Sequence, residues 1–260
     1  MLGAENCRRC RGGGAAATSG QAVDDFDGQI DNEVTLRRFA RAVVAGGAAF
    51  VVVGADGVAG VPSQRDAGVT VDLMWSSRAE ADRWADALTE NPEILALDLA
   101  TLIGSYLPDV QGRDGRIGAD WSDGPDEVEF DAASVIEALR DAALTDFDEA
   151  VAIDRHVWLL RRDSGPGGHA VLSGAHERLA VPIFASREAA EAAARELWPD
   201  AVAVRQSIGE FTQRTLYTDI EHKLVYAPGF VAGRSVSVLM PWDVKSRLQA
   251  LLRRELRAVA

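Results

Sequence analysis

The chain states one strand-and-helix pattern twice. Residues 69–88 run from the apolar strand Val69-Thr70-Val71-Asp72-Leu73-Met74-Trp75 through Ser77-Arg78 into an Ala-rich stretch ending at Leu88. Residues 178–197 run from Leu179-Ala180-Val181-Pro182-Ile183-Phe184 through Ser186-Arg187 into a second Ala-rich stretch ending at Leu197. The joints, at positions 77 and 186, lie 109 residues apart. A repeat of this length constrains the fold more than any local motif, because each copy must bury its own apolar face. It predicts two tandem α/β domains with some α+β character, over residues 31–144 and 145–260, behind a disordered leader of residues 1–30. Together they would form an internal pseudo-dimer.

Local signals fill in each half. A helix is expected from Thr35 until Gly46-Gly47 stops it. Ala49 to Val53 and Val58 to Val61 then read as an N-terminal β-hairpin around Gly54-Ala55-Asp56-Gly57. Val69 to Trp75 is the third strand, and Ser77 with Glu80 has capping-box spacing ahead of helix 78–88. Ile94 to Leu97 is a fourth strand, Asp98 caps a helix ended by Pro108, and Arg116 to Trp121 is a fifth strand. Helix 132–144 closes the half. The second half repeats the order, with a short helix 146–154, strands near Val157, Ala170, Leu179, Ala201 and Ser235, an Ala-rich helix 187–197, a helix capped by Ser207, and a final helix after Asp243. Each half should hold a mixed sheet of about five strands covered by helices.

Composition narrows the class. Apolar residues make up 47% and charged residues 26% of the chain, the balance of a globular protein. No apolar run approaches the ~20 residues needed to span a bilayer, so no membrane partner is expected. The 25 Arg against 2 Lys, with abundant Ala, Val, Asp and Gly, read as a GC-rich bacterial genome and a cytoplasmic protein. The charge is unevenly placed: +2 over residues 1–20, −18 over 21–150 and +3 over 151–260, giving the total of −13. An acidic half of this size argues against nucleic acid, whose affinity comes largely from phosphate neutralisation. It suits a basic protein partner, or serves solubility.

The candidate chemical sites are weak. Gly54, Gly57 and Gly60, with Asp72 further on, imitate a dinucleotide fingerprint. Asp56 replaces its middle glycine and no helical pattern follows, so a hairpin turn is the better reading. Cys7 and Cys10 have the spacing of half a zinc site without the other half. Asp24, Asp25, Asp27 and Asp31 lack the Gly and closing Glu of a calcium loop. Ser173, His176 and Glu177, with His169 nearby, read as solvated loop residues rather than a catalytic set. No cofactor or metal is expected. Ser77, Arg78, Ser186 and Arg187 start helices and could hold an anion, though capping explains them. Trp75, Trp84, Trp121 and Trp158 read as core, while Trp198 and Trp242 sit beside prolines at element ends and are contact candidates.

The stretch His156-Val157-Trp158-Leu159-Leu160-Arg161-Arg162-Asp163, followed by Val181-Pro182-Ile183-Phe184-Ala185-Ser186-Arg187-Glu188-Ala189, resembles a bacterial domain family of unknown function. It also looks like the N-terminal domain of the enhanced-serine-sensitivity family. Leu73-Met74-Trp75-Ser76-Ser77-Arg78 with Trp84-Ala85 reads as a diverged copy that lacks the proline. The resemblance covers about 60 residues of each half. It implies the fold and carries over no catalytic residue. The function expected is therefore a non-enzymatic protein-binding module of adaptor or immunity type. A small-ligand or anion sensor is the alternative, using helix N-termini or the cleft between domains, and an enzyme ranks third.

Overall fold

The computed structural model describes residues 21–55, 57–122, 128–173, 179–216, 219, 223–229 and 239–258. Cys7, Cys10, Asp56, His176, Glu177, His222 and the expected strand residues Ser235 to Val238 lie outside them. The protein is α/β, with two sheets and covering helices.

The first helix, α1, spans Gln21–Gly46 and so starts well before the expected Thr35, inside the stretch read as a disordered leader. Its early part is Asp-rich, which hid the apolar spacing of Val23, Phe26 and Ile30. Strand β1 (Ala48–Gly54) follows the left-handed Gly47, at φ 75°. The expected hairpin is only a stub. β2 (Gly57–Val58) pairs with the end of β1, after which β3 (Gly60–Pro62) transfers to β4 (Thr70–Trp75). Helix α2 (Arg78–Leu88) leads to β5 (Glu93–Asp98). β5 does not pair with β4. It lies antiparallel to β1 over six consecutive pairs, from Ala48↔Asp98 to Val53↔Glu93. The backbone continues through α3 (Leu99–Thr101), a π-turn (Leu102–Tyr106) and α4 (Leu107–Gly112). β6 (Arg116–Ala119) then runs parallel to β4, and β7 (Glu129–Asp131) antiparallel to β6. Across the sheet the order is β5-β1-β4-β6-β7.

Pro108 does not end its helix. The π-turn bonds the Leu107 N–H to the Leu102 carbonyl, and α4 restarts with Pro108 in its first turn. There a missing N–H costs least.

Helix α5 (Ala132–Asp154) is continuous where two helices were expected. No Gly or Pro interrupts it, Thr145 Oγ1 donates to the Asp141 carbonyl at 2.8 Å, and Arg155 closes it in the left-handed conformation at φ 55°. The boundary drawn at 144/145 therefore falls inside a helix. Its N-terminal part buries Val135, Ile136 and Leu139 with α1 and the first sheet, and its C-terminal part buries Phe147 and Val151 with the second.

The second sheet comprises β8 (His156–Arg161), β9 (Leu172–Ser173), β10 (Leu179–Phe184), β11 (Val202–Ser207) and β12 (Val225–Pro228), in the order β11-β8-β10-β12 with β9 beside β10. α6 (Arg187–Leu197), α7 (Ile208–Glu210), a second π-turn (Phe211–Thr215) and α8 (Pro241–Ala258) accompany it. β12 was absent from the sequence reading, and of the expected last strand only Leu239 is described, bridging Tyr226.

The two sheets share a register. β4 meets β6 at Val71↔Arg116, and β10 meets β12 at Ala180↔Val225, each residue 109 further on. Ala48↔Asp98 answers to His156↔Ser207, and the π-turns start at Leu102 and Phe211. Each sheet is covered on both faces. Alternation sends Val51 and Met74 into a cluster with α1 and α5, and Val52, Leu73 and Trp75 into one with Ala81 and Ala85 of α2. In the second half the cluster around Phe211, Tyr226 and Leu248 covers one face, and Phe184 with α6 the other.

Candidate functional site

The two Ser-Arg joints are helix starts of unequal build. Ser186 accepts the Ala189 N–H at 3.2 Å and caps α6. Ser77 makes no such bond, so the expected box with Glu80 does not form, and Glu80 instead pairs with Arg83 at 2.8 Å. Asp120 fixes that loop, accepting from the Ser76 N–H at 2.7 Å and Ser76 Oγ at 3.0 Å. Arg78 and Arg187 are exposed, the latter bound to Glu191 at 2.7 Å. Trp198, taken from sequence as a contact candidate, is buried against Leu160, Phe184 and Ala190. Trp242 is exposed at 54%, in the first turn of α8.

Polar groups do converge inside each half, around a buried carboxylate. In the first, Asp72 projects from β4 at 2% exposure. Its Oδ2 accepts from Tyr106 Oη at 2.6 Å and from Arg113 Nη2. Burial, reinforced by the Asp72 charge, drives the Tyr106 pKa far above its ordinary value and keeps the phenol protonated as the donor to Asp72. In the second half Tyr226 Oη donates to Asp219 Oδ2, and burial followed by the Asp219 charge raises its pKa likewise. His169, expected on a solvated loop, is 1% exposed here. Its Nε2 stands 3.2 Å from both Asp219 Oδ1 and Arg161 Nη1, and among the described residues its Nδ1 has no partner. Nε2 can donate to the carboxylate or accept from the guanidinium, not both. A His–Asp–Tyr set has the groups of acid–base chemistry, and all three side chains are buried. Both clusters brace a strand against a helix.

Two surface hollows are lined by described residues. One, of about 330 Å³, is lined by Asp66, Gln111, Asp114, Arg116 and Asp131. Arg116 holds Asp66 at 2.8 Å. Burial works against the Asp131 carboxylate, but the Ser134 N–H and Oγ more than offset it, holding its pKa below the ordinary range. Those groups serve one another and the cap of α5. The other, about 550 Å³ and wide open, is formed by residues 86–92, with Asp86 and Glu90 on its wall, and leads directly into β5.

That position matters because β5 closes the sheet on one side. Its inner side pairs with β1, and among the described residues no strand pairs with its outer side. From Trp84 to Gly112 the sequence has five acids, Asp86, Glu90, Glu93, Asp98 and Asp109, and no Lys, Arg or His. Sequence reasoning saw the acidic half but not this focus, since only the tertiary fold places β5 at an edge. The base-free run was the available signal. β11 closes the second sheet in the same way, but Arg205 and Arg214 flank it, and Asp200 nearby is engaged by Arg162 at 2.7 Å. Among the described residues no group of three or more His, Cys, Asp or Glu is placed to hold a metal, and no helix is long and apolar enough to cross a membrane.

Residues 36–139 match the model of the family described as protein of unknown function (DUF2750). Among curated proteins none matches the chain. Two solved structures are loosely similar. Anabaena Tic22 (protein transport) shares 12% identity over 74% of this chain and 92% of its own, with a TM-score of 0.24. Tic22 from Plasmodium falciparum shares 11% over 70% and 87%, with a TM-score of 0.22.

Proposed function

We propose that this protein is a non-enzymatic binding module of the bacterial cytoplasm whose first half recruits a basic protein partner. The carrying observation is the run from Trp84 to Gly112 that holds five acids and no base, with Glu93 and Asp98 of that run at the two ends of the edge strand β5. A cluster of like charge raises the encounter rate of an oppositely charged partner and repels nucleic acid. The burial of Asp72, Asp219, His169 and Tyr226 supports a non-catalytic role, because a general acid or base must reach a substrate proton. We further infer that the halves descend from one duplicated unit. The shared strand registers and paired π-turns support this, and the different charge of the two free edges supports specialisation of the first half.

Association with a basic probe protein is to be followed by stopped flow at about 0.01 M and about 1 M salt, where the screening length falls from about 30 to about 3 Å. The reading expects the association rate to fall at least about tenfold, and an acidic probe not to bind at either salt. Equal rates at both salts, or a preference for the acidic probe, would remove its basis.

A further inference from the structure

We infer that the outer edge of β5 takes up an extended basic segment of the partner as an added strand. This rests on the reading that the partner is basic, and adds how and where it binds. An unpaired strand edge presents a row of N–H and C=O groups that template another strand. Proteins ordinarily blunt such edges with a bulge, a lysine, a proline or a very short strand. β5 has none of these. Its ladder with β1 is unbroken over six pairs, and Glu93-Ile94-Leu95-Ala96-Leu97-Asp98 contains no Lys and no Pro. Leu97 is buried and anchors the strand from below, whereas Leu95 is 45% exposed and Ala96 is exposed beside it.

The occupant follows from charge. Glu93 and Asp98 stand at the ends of β5, and the hollow carrying Asp86 and Glu90 leads into it. An incoming strand would meet Glu93 on one face of the sheet and Asp98 on the other, so Lys or Arg opposite each fits and Asp or Glu does not. A second copy fits badly. Two-fold antiparallel self-pairing of β5, centred on Leu95 or Ala96, sets Glu93 opposite Leu97 or Asp98 opposite Ile94, so neither carboxylate meets a base. β11 offers the same edge geometry with Arg205 on it, so it serves as an internal control.

The test uses the full chain and a labelled twelve-residue peptide of lysine and valine with lysines on both faces of its extended form. A second version carries backbone N-methyl groups at alternate residues, which remove strand-pairing donors and keep the charge. The unmethylated peptide is expected to bind at low salt, the methylated one at least about tenfold more weakly. It should slow amide hydrogen exchange across residues 94–97. The exposed pair Glu90→Lys with Glu93→Lys is expected to lose at least about tenfold in affinity at an unchanged melting temperature, while Val202→Lys on β11 changes nothing. Equal binding of both peptides overturns strand addition and leaves the basic-partner reading standing. Binding of neither at low salt overturns that reading itself. Concentration-dependent dimerisation abolished by Ala96→Lys would make the occupant a second copy and likewise overturn the proposal.

Discussion

At the scale of single residues, the two buried tyrosines set the alkaline limit of the fold. Both are held neutral by burial and by the carboxylate each hydrogen-bonds. Their folded pKa values are raised, so the unfolded chain ionises first. The stability they supply is whole below about pH 10 and is lost as the pH climbs above that value. Each should contribute a fall of about 1.4 kcal/mol per pH unit, with little interference because the chain has only 2 Lys. Urea midpoints between pH 9 and 11 check this, and a flat profile would contradict the burial of the phenols. Asp72→Ala strands the Tyr106 hydroxyl beneath the sheet and should cost about 1–3 kcal/mol, read from the same urea curves at pH 7. Asp72 also shows what sequence can miss. As an acid inside an apolar strand it was noticed for its distance from a glycine turn. Its partners Tyr106 and Arg113 lie 34 and 41 residues away, and nothing local announces them.

At the scale of elements, two helices behave unlike their punctuation. Pro108 reads as a stop, yet the π-turn before it shifts the hydrogen-bonding frame so that the proline falls in a first turn. Pro108→Ala should therefore change stability by no more than about 0.5 kcal/mol, whereas relief of a true mid-helix proline would stabilise by about 3 kcal/mol. Chemical denaturation separates these. Helix α5 is the reverse case: an even run of helix formers was split in two because the halves needed a boundary. Thr145→Pro, midway between the parts of α5 that serve different cores, should cost about 3 kcal/mol or more and resolve one calorimetric transition into two. A single transition at an unchanged temperature would show that the helix couples nothing. The strands tell a similar story. β1, β4, β5, β8, β10 and β11 were visible as apolar or β-branched runs. β12, four residues ending in Pro228, was too short to register, and the place of β5 beside β1 depends on pairing that no local pattern encodes.

At the scale of the whole molecule, geometry and charge part company. The strand order and the π-turns recur 109 residues apart (Leu102 and Phe211), but the −18 of residues 21–150 has no counterpart in the +3 of residues 151–260. The sequence revealed that asymmetry at once. It did not reveal that part of the acid lines a free sheet edge. The most direct test compares two triple charge reversals of equal size in the full chain. Asp86→Lys, Glu90→Lys and Glu93→Lys alter the β5 edge, and Glu137→Lys, Asp141→Lys and Glu149→Lys alter exposed positions of α5. Association rates of a lysine-rich peptide are measured at about 0.01 M salt, where long-range charge is least screened. The edge triple should lose at least about tenfold and the α5 triple far less. Equal losses from both would mean that only net charge attracts the peptide and that the first sheet holds no docking edge.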